Sequence, residues 1–143
     1  MLAQDEEHLV RQSVASNPNT PLWLLEELAK DKHPQVHLGL VQNLNIPQNL
    51  IDIELAQQFP HQLAKHPKTP TNILIALAKH EARRVRELVA ENESAPEEAL
   101  EILAKDRLYD VRHTAARNPN MCKDKFAKIT LERIAKSSAP SCA

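Results

Sequence analysis

Seven histidines are the first side chains to weigh in this 143-residue sequence, because neutral imidazole binds divalent metals near neutral pH. His33 and His37 are four residues apart, a spacing that puts two side chains on one helical face, but Pro34 between them moves His33 into a turn. No third ligand accompanies them, and His61 with His66 fares no better, so no metal is expected. Acid-base chemistry has the carboxylate pairs Glu26-Glu27 and Glu97-Glu98, which fall on the outward faces of amphipathic helices, where solvation is the rule. Cys122 near His113 is the only thiol with a nearby base in the sequence, and nearness in sequence is not geometry. A phosphate cradle needs glycines, and Gly39 is the only one. The expectation is a protein that is not an enzyme and carries no cofactor.

Charge offers a second kind of chemistry. Acidic residues gather in the first part of the chain (Asp5, Glu6, Glu7, Glu26, Glu27, Asp31, Asp52, Glu54), whereas Arg107, Arg112, Arg117, Lys123, Lys125, Lys128, Arg133 and Lys136 make the last part basic. Arg83, Arg84 and Arg86 form a further basic cluster, and a nucleic acid is therefore a possible partner. Against it, the net charge is -1, and Tyr109 and Phe126 are the only aromatics in that half to stack on bases. No apolar run is long enough to span a bilayer and the start is acidic, so the reading is cytoplasmic, without a membrane, and with Cys122 and Cys142 as reduced thiols.

The elements that position these groups are repeated. Val10-Arg11, Val36-His37, Val85-Arg86 and Val111-Arg112 recur in step with Asn17-Pro18, Asn43, Asn92 and Asn118-Pro119, and the step is 26 residues wherever two repeats adjoin without a gap. In the same phase, Pro21, Pro47, Pro70 and Pro96 each open a stretch ending in Leu-Ala, with apolar residues three, four and seven places after the proline in three of the four. That stripe predicts a long helix with proline at its first position, N-capped by Thr20 or Thr69, or by Ser94 with Glu97 as a capping box. The valine element, closed by Asn-Pro or by His66-Pro67, predicts a helix of only one or two turns that is ordered by stacking.

The pattern Val-Arg-x-x-Val-Ala-x-Asn-Pro-x-Thr-Pro-x-x-Leu-Leu-x-x-Leu-Ala-x-Asp resembles the leucine-rich repeat variant family over nearly all of residues 10 to 122. The resemblance implies an all-α, right-handed α-solenoid related to HEAT and armadillo arrays, with long α-helices alternating with short α or 3₁₀ helices in about five repeats. Some members carry an amino-terminal cysteine-rich iron-sulfur domain, whose cysteines this sequence lacks. The expected organisation is one repeat domain over 1–136, with a cap at about 1–9 and repeats over about 10–133, then a disordered tail over 137–143.

Departures from the repeat mark the candidate sites. Phe59 follows Leu55 by four residues where the other repeats have eight, and Pro60 stands in the arginine position, so the turn is missing and a kink is expected. Leu22 and Trp23 occupy positions that are polar in the later repeats, which makes them either a contact for the cap segment around Leu2 to Leu9 or a partner-binding spot. Arg11, Arg86 and Arg112 read as a ladder pairing with Asp31 or Asp106, although Arg83, Arg84, Arg86 and Arg112 could also face a partner. Pro21, Pro47, Pro70, Pro96, Asn17 and Asn118 read as structural. The expected function is a scaffold or adaptor that binds a protein or peptide, as monomer or homodimer. The alternatives are nucleic-acid binding and an accessory subunit of an enzyme.

Overall fold

Valine at the head of each recurring motif decides where the chain buries itself: Val36, Val85 and Val111 are fully inaccessible to solvent. A computed structural model describes residues 7–142, with side chains described through 135. All the described secondary structure is helical, in the order α1 (His8–Ser16), α2 (Leu22–Leu28), α3 (Pro34–Gln42), a 3₁₀ turn (Gln48–Leu50), α4 (Ile53–Gln58), α5 (Pro60–Lys65), α6 (Thr71–Leu77), α7 (Arg83–Glu91), α8 (Glu97–Ala104), α9 (Tyr109–Arg117) and α10 (Lys123–Cys142). The contacts form two compact units, 1–73 and 74–143.

The expected helix lengths are exchanged. The valine helices α1, α3, α7 and α9 each have nine residues, starting two before the valine and ending just before the asparagine. The proline-led helices α2, α6 and α8 have only seven or eight. Pro21, Pro47 and Pro96 are N-cap residues with extended ψ, not first helical residues, and Pro70 stands just before α6. Thr20 and Thr69 are not N-caps either. Each hydroxyl donates backward, to the carbonyl of Val14 and of Leu63 respectively, at 2.6 Å. Ser94 is likewise not the cap of α8, which begins at Glu97 after the N-cap Pro96 and has no side-chain cap. The last helix runs from Lys123 to Cys142, with no glycine or proline along it until Pro140.

Nine residues leave the last carbonyls of a helix without intrahelical donors, and the asparagine that closes the next valine helix supplies them. In the first unit the buried Asn43 amide donates to the carbonyls of Ala15 and Asn17 at 2.8 and 3.0 Å, and its oxygen accepts from the Asn45 amide. In the second, Asn118 does the same to Ala90 and Asn92 at 2.8 and 2.9 Å. His66 stands in the asparagine position of α5. Its Nε2 lies 2.9 Å from the Asn43 carbonyl and its Nδ1 accepts from the Lys68 amide, so Nε2 carries the proton. Burial pushes the His66 pKa below its ordinary value, an effect that the bond to Asn43 opposes and Lys68 reinforces.

Gly39 lets α3 approach α1. A Cβ there would sit 2.5 Å from the Gln12 carbonyl oxygen and 3.0 Å from the Ala15 Cβ. The break at residue 59 is an abrupt junction: Phe59 ends α4 and caps α5, whose first residue is Pro60.

Gly39→Ala gains about 1 kcal/mol of helix propensity but forces backbone apart. We expect a net loss of about 1–2 kcal/mol in urea denaturation. His66 binds protons more weakly folded than unfolded, so its contribution is complete above the ordinary histidine pKa and is lost as pH falls below about 6.5. The melting temperature should fall between pH 7.5 and 5.5, and less so in His66→Asn.

Candidate functional site

Three surfaces were legible as candidates: the arginines, the Leu22-Trp23 pair and the histidines. The arginines are placed by the valine helices, and most are turned inward or neutralised. Arg86, only 7% exposed, bonds Asp106 through Nε at 2.6 Å and donates through one terminal nitrogen to the carbonyls of His80 and Glu81 at 2.9 Å each. Asp106 in turn accepts from the Leu108 amide at 3.0 Å. Arg86 is therefore a buried strut between the start of α7 and the turn after α8, and its placement among partner-contacting residues is corrected. Arg112 donates to the Asp106 carbonyl at 2.7 Å and lies 5.9 Å from the Tyr109 ring.

Arg11 repeats the strut in the first unit, bonding Asp31 at 2.7 Å, while Asp31 also accepts from the His33 amide. Burial pushes the Asp31 pKa up, but the His33 amide and Arg11 outweigh it and hold the carboxyl below its usual range. Twenty residues separate the partners in both struts. The histidine at the same register, His37, meets Gln58 instead, its Nδ1 3.4 Å from Oε1.

Arg83 and Arg84 are exposed but saturated. Arg83 binds Glu87 at 2.5 Å and Asp110 at 2.6 Å, and Arg84 lies 3.4 Å from Glu87 and 3.7 Å from Glu91. The hydrogen bond from Arg83 is the main reason that Glu87 is held below the usual carboxylate range. Lys125 is similarly bracketed by Glu101 at 3.0 Å and Glu97 at 3.3 Å, whose contacts raise its pKa, Glu101 the more. Residues 74–143 hold thirteen Lys and Arg against eleven Asp and Glu. Of these cations Arg83, Arg84, Arg86 and Lys125 are held in ion pairs.

Residues 83–108 match the leucine rich repeat variant family. That stretch runs from the first residue of α7 past the end of α8, and so holds both ends of the Arg86–Asp106 strut. The leucine rich repeat variant is a HEAT-like helical repeat, in agreement with the all-helical fold. No curated protein and no solved structure matches the chain.

The Leu22-Trp23 pair opens α2, with Leu22 53% and Trp23 55% exposed, while Leu25 and Leu28 on the same helix are buried. Of the segment expected to cover them, residues 1–6 lie outside the described residues, and Leu9 is itself 60% exposed. Exposed Glu26 and Glu27 follow on the next turn. His33 does not converge with His37: as the N-cap of α3 its Nδ1 accepts from the Gln35 amide, and its ring stacks on His8 at 3.9 Å. What the sequence did not reveal is the role of Gln58. Its signal was the register, one residue longer in the second repeat, that aligns it with Asp31 and Asp106.

Arg86→Ala leaves the Asp106 carboxylate buried without its counter-charge. We expect a loss of about 3–5 kcal/mol in chemical denaturation, whereas Arg83→Ala, which breaks only solvent-exposed pairs, should leave the midpoint within error.

Proposed function

We propose that the chain is a non-enzymatic helical repeat module that binds a protein or peptide, as a scaffold or adaptor in the cytoplasm. In this reading about five repeats wind as a right-handed superhelix, as monomer or homodimer. The observation that carries it is the exposed Leu22-Trp23 pair on α2. Tryptophan is over-represented where interface energy concentrates, and here an apolar pair stands where other repeats place polar residues. The leucine rich repeat variant match supports the class of module, since stacked helical repeats present extended binding surfaces. Among the described residues no helix is long and apolar enough to cross a membrane.

Nucleic-acid binding through the basic half is the weaker reading, because Arg83, Arg84, Arg86 and Lys125 are already engaged by carboxylates. Exposed phosphates would have to displace these pairs, and the gain from counterion release would shrink accordingly.

A photo-crosslinking amino acid at position 23, used in cytosolic extract, should trap one or a few proteins that survive nuclease treatment. Leu22→Gln/Trp23→Ala, with unchanged helicity, should lose the same proteins from affinity capture. Capture abolished by nuclease and untouched by the double substitution would replace this reading with nucleic-acid binding.

A further inference from the structure

Arg11, Arg86 and Arg112 stand at one register, each directly after the valine of its helix. Two of them close on a carboxylate in the same manner. Nε lies 2.7 Å from Asp31 Oδ2 or 2.6 Å from Asp106 Oδ2, and one terminal nitrogen lies 3.5 Å from the other carboxylate oxygen. Arg112 keeps only the remainder of the pattern: a terminal nitrogen donates to the carbonyl six residues back, that of Asp106, as Arg86 donates to that of His80. Nε and the other terminal nitrogen of Arg112, the pair that holds the carboxylate in the other two, bond nothing among the described residues.

The cause lies in the next helix. Asp31 and Asp106 sit in the turns that follow α2 and α8. Twenty residues after Arg112 stands Glu132, but there the chain is inside α10, which does not stop for a turn, and Glu132 is exposed. The surroundings stay open as well. Arg86 and Ala90 are buried on α7, whereas Arg112 and Ala116, at the same register of α9, are part-exposed. Among the described residues His37 Nε2 is the one side-chain atom both buried and unpartnered, so the two spare nitrogens of Arg112 are reachable from solvent. Beside them Tyr109, 66% exposed, carries Arg112 over its ring and stacks on His113. Residues 107–117 hold three arginines and one carboxylate, Asp110, which Arg83 already binds at 2.6 Å.

We infer that the free edge of the Arg112 guanidinium seats the carboxylate of an aspartate or glutamate side chain from a bound peptide, in the place that Asp31 and Asp106 take within the chain. The edge offers two parallel N–H donors, which match the two oxygens of a carboxylate, and the bond to the Asp106 carbonyl holds the fork in position. Part-burial spares the pair some of the screening that weakens ion pairs in open water. Tyr109 supplies a flat, exposed ring for the residue next to the acid. The site lies wholly in the second unit and shares no residue with the Leu22-Trp23 pair.

The test is a nuclear magnetic resonance titration of the full ¹⁵N-labelled chain at pH 7 with the capped peptide Ala-Ala-Glu-Ala-Ala, its glutamine isostere and inorganic phosphate. The glutamate peptide should move the Nε–H signal of Arg112 and the backbone amides of Tyr109 and His113, while the glutamine peptide leaves them in place. Arg112→Gln should abolish the movement at Tyr109 and His113. Should that variant fold poorly, Arg112→Lys, which keeps the charge but loses the fork, should weaken the glutamate peptide about fivefold. Equal responses to the glutamate and glutamine peptides, or a glutamate response unchanged in both variants, would overturn the inference. A larger response to phosphate than to the glutamate peptide at equal concentration would also overturn it, in favour of a phosphate seat. Leu22→Gln/Trp23→Ala should leave the titration as it is, so failure at Arg112 and failure of the Trp23 reading are told apart.

Discussion

The carbonyls at the end of each nine-residue helix are the constraint on which the rest of this protein depends. A helix so short spends a large share of its backbone on groups that have no partner inside it. Burying those groups in a stack without donors would cost more than the apolar contacts return. The side-chain amide of Asn43 or Asn118 answers two carbonyls of the layer before it and, through its oxygen, one amide of its own turn. One residue thereby ends a helix, shapes the turn after it and joins two layers. Asparagine is suited to this because its amide has donors and an acceptor within a short, neutral group. Histidine at position 66 keeps the geometry with one donor fewer and makes the joint sensitive to protons.

The arginine struts do related work at the opposite ends of the helices. Arg86 ties the first turn of α7 to the turn that follows α8, and it is buried deeply enough for its charge to require Asp106. The same residue type two or three positions earlier does something different: Arg83 and Arg84 lie in solvent and trade contacts with carboxylates on their own helix and on α9. Position relative to the valine, more than residue type, separates a strut from a surface charge.

Much of the fold was legible in the sequence, because recurrence of Val, Asn and Pro at one step can only come from identical environments. The all-helical class followed from it, and the family match over 83–108 agrees. Helix lengths were not legible. The polar residues ahead of each valine read as turn, whereas Leu108, Ala82 and His33 take up N-cap geometry and the helix begins at once. Thr20 and Thr69 misled for a related reason: a hydroxyl before Pro-x-x-x-Leu has two helix ends within reach, and it serves the one behind. Around the candidate sites, Trp23 could be singled out from its neighbours in register, but the pairing of His37 with Gln58 could not, since an extra residue in that layer hides the correspondence.

The junction at Phe59 gives the chain an uneven grammar. Between α7 and α9 a layer is a cassette of 26 residues with a turn at each end, so a copy could be spliced in with every asparagine and arginine still in phase. Between α4 and α5 there is a single residue, in a conformation that is neither helical nor extended, followed by a proline. A copy inserted at that point would have no turn in which to absorb a change of direction. Lengthening or shortening of this protein by whole layers is therefore confined to the stretches on either side of Phe59.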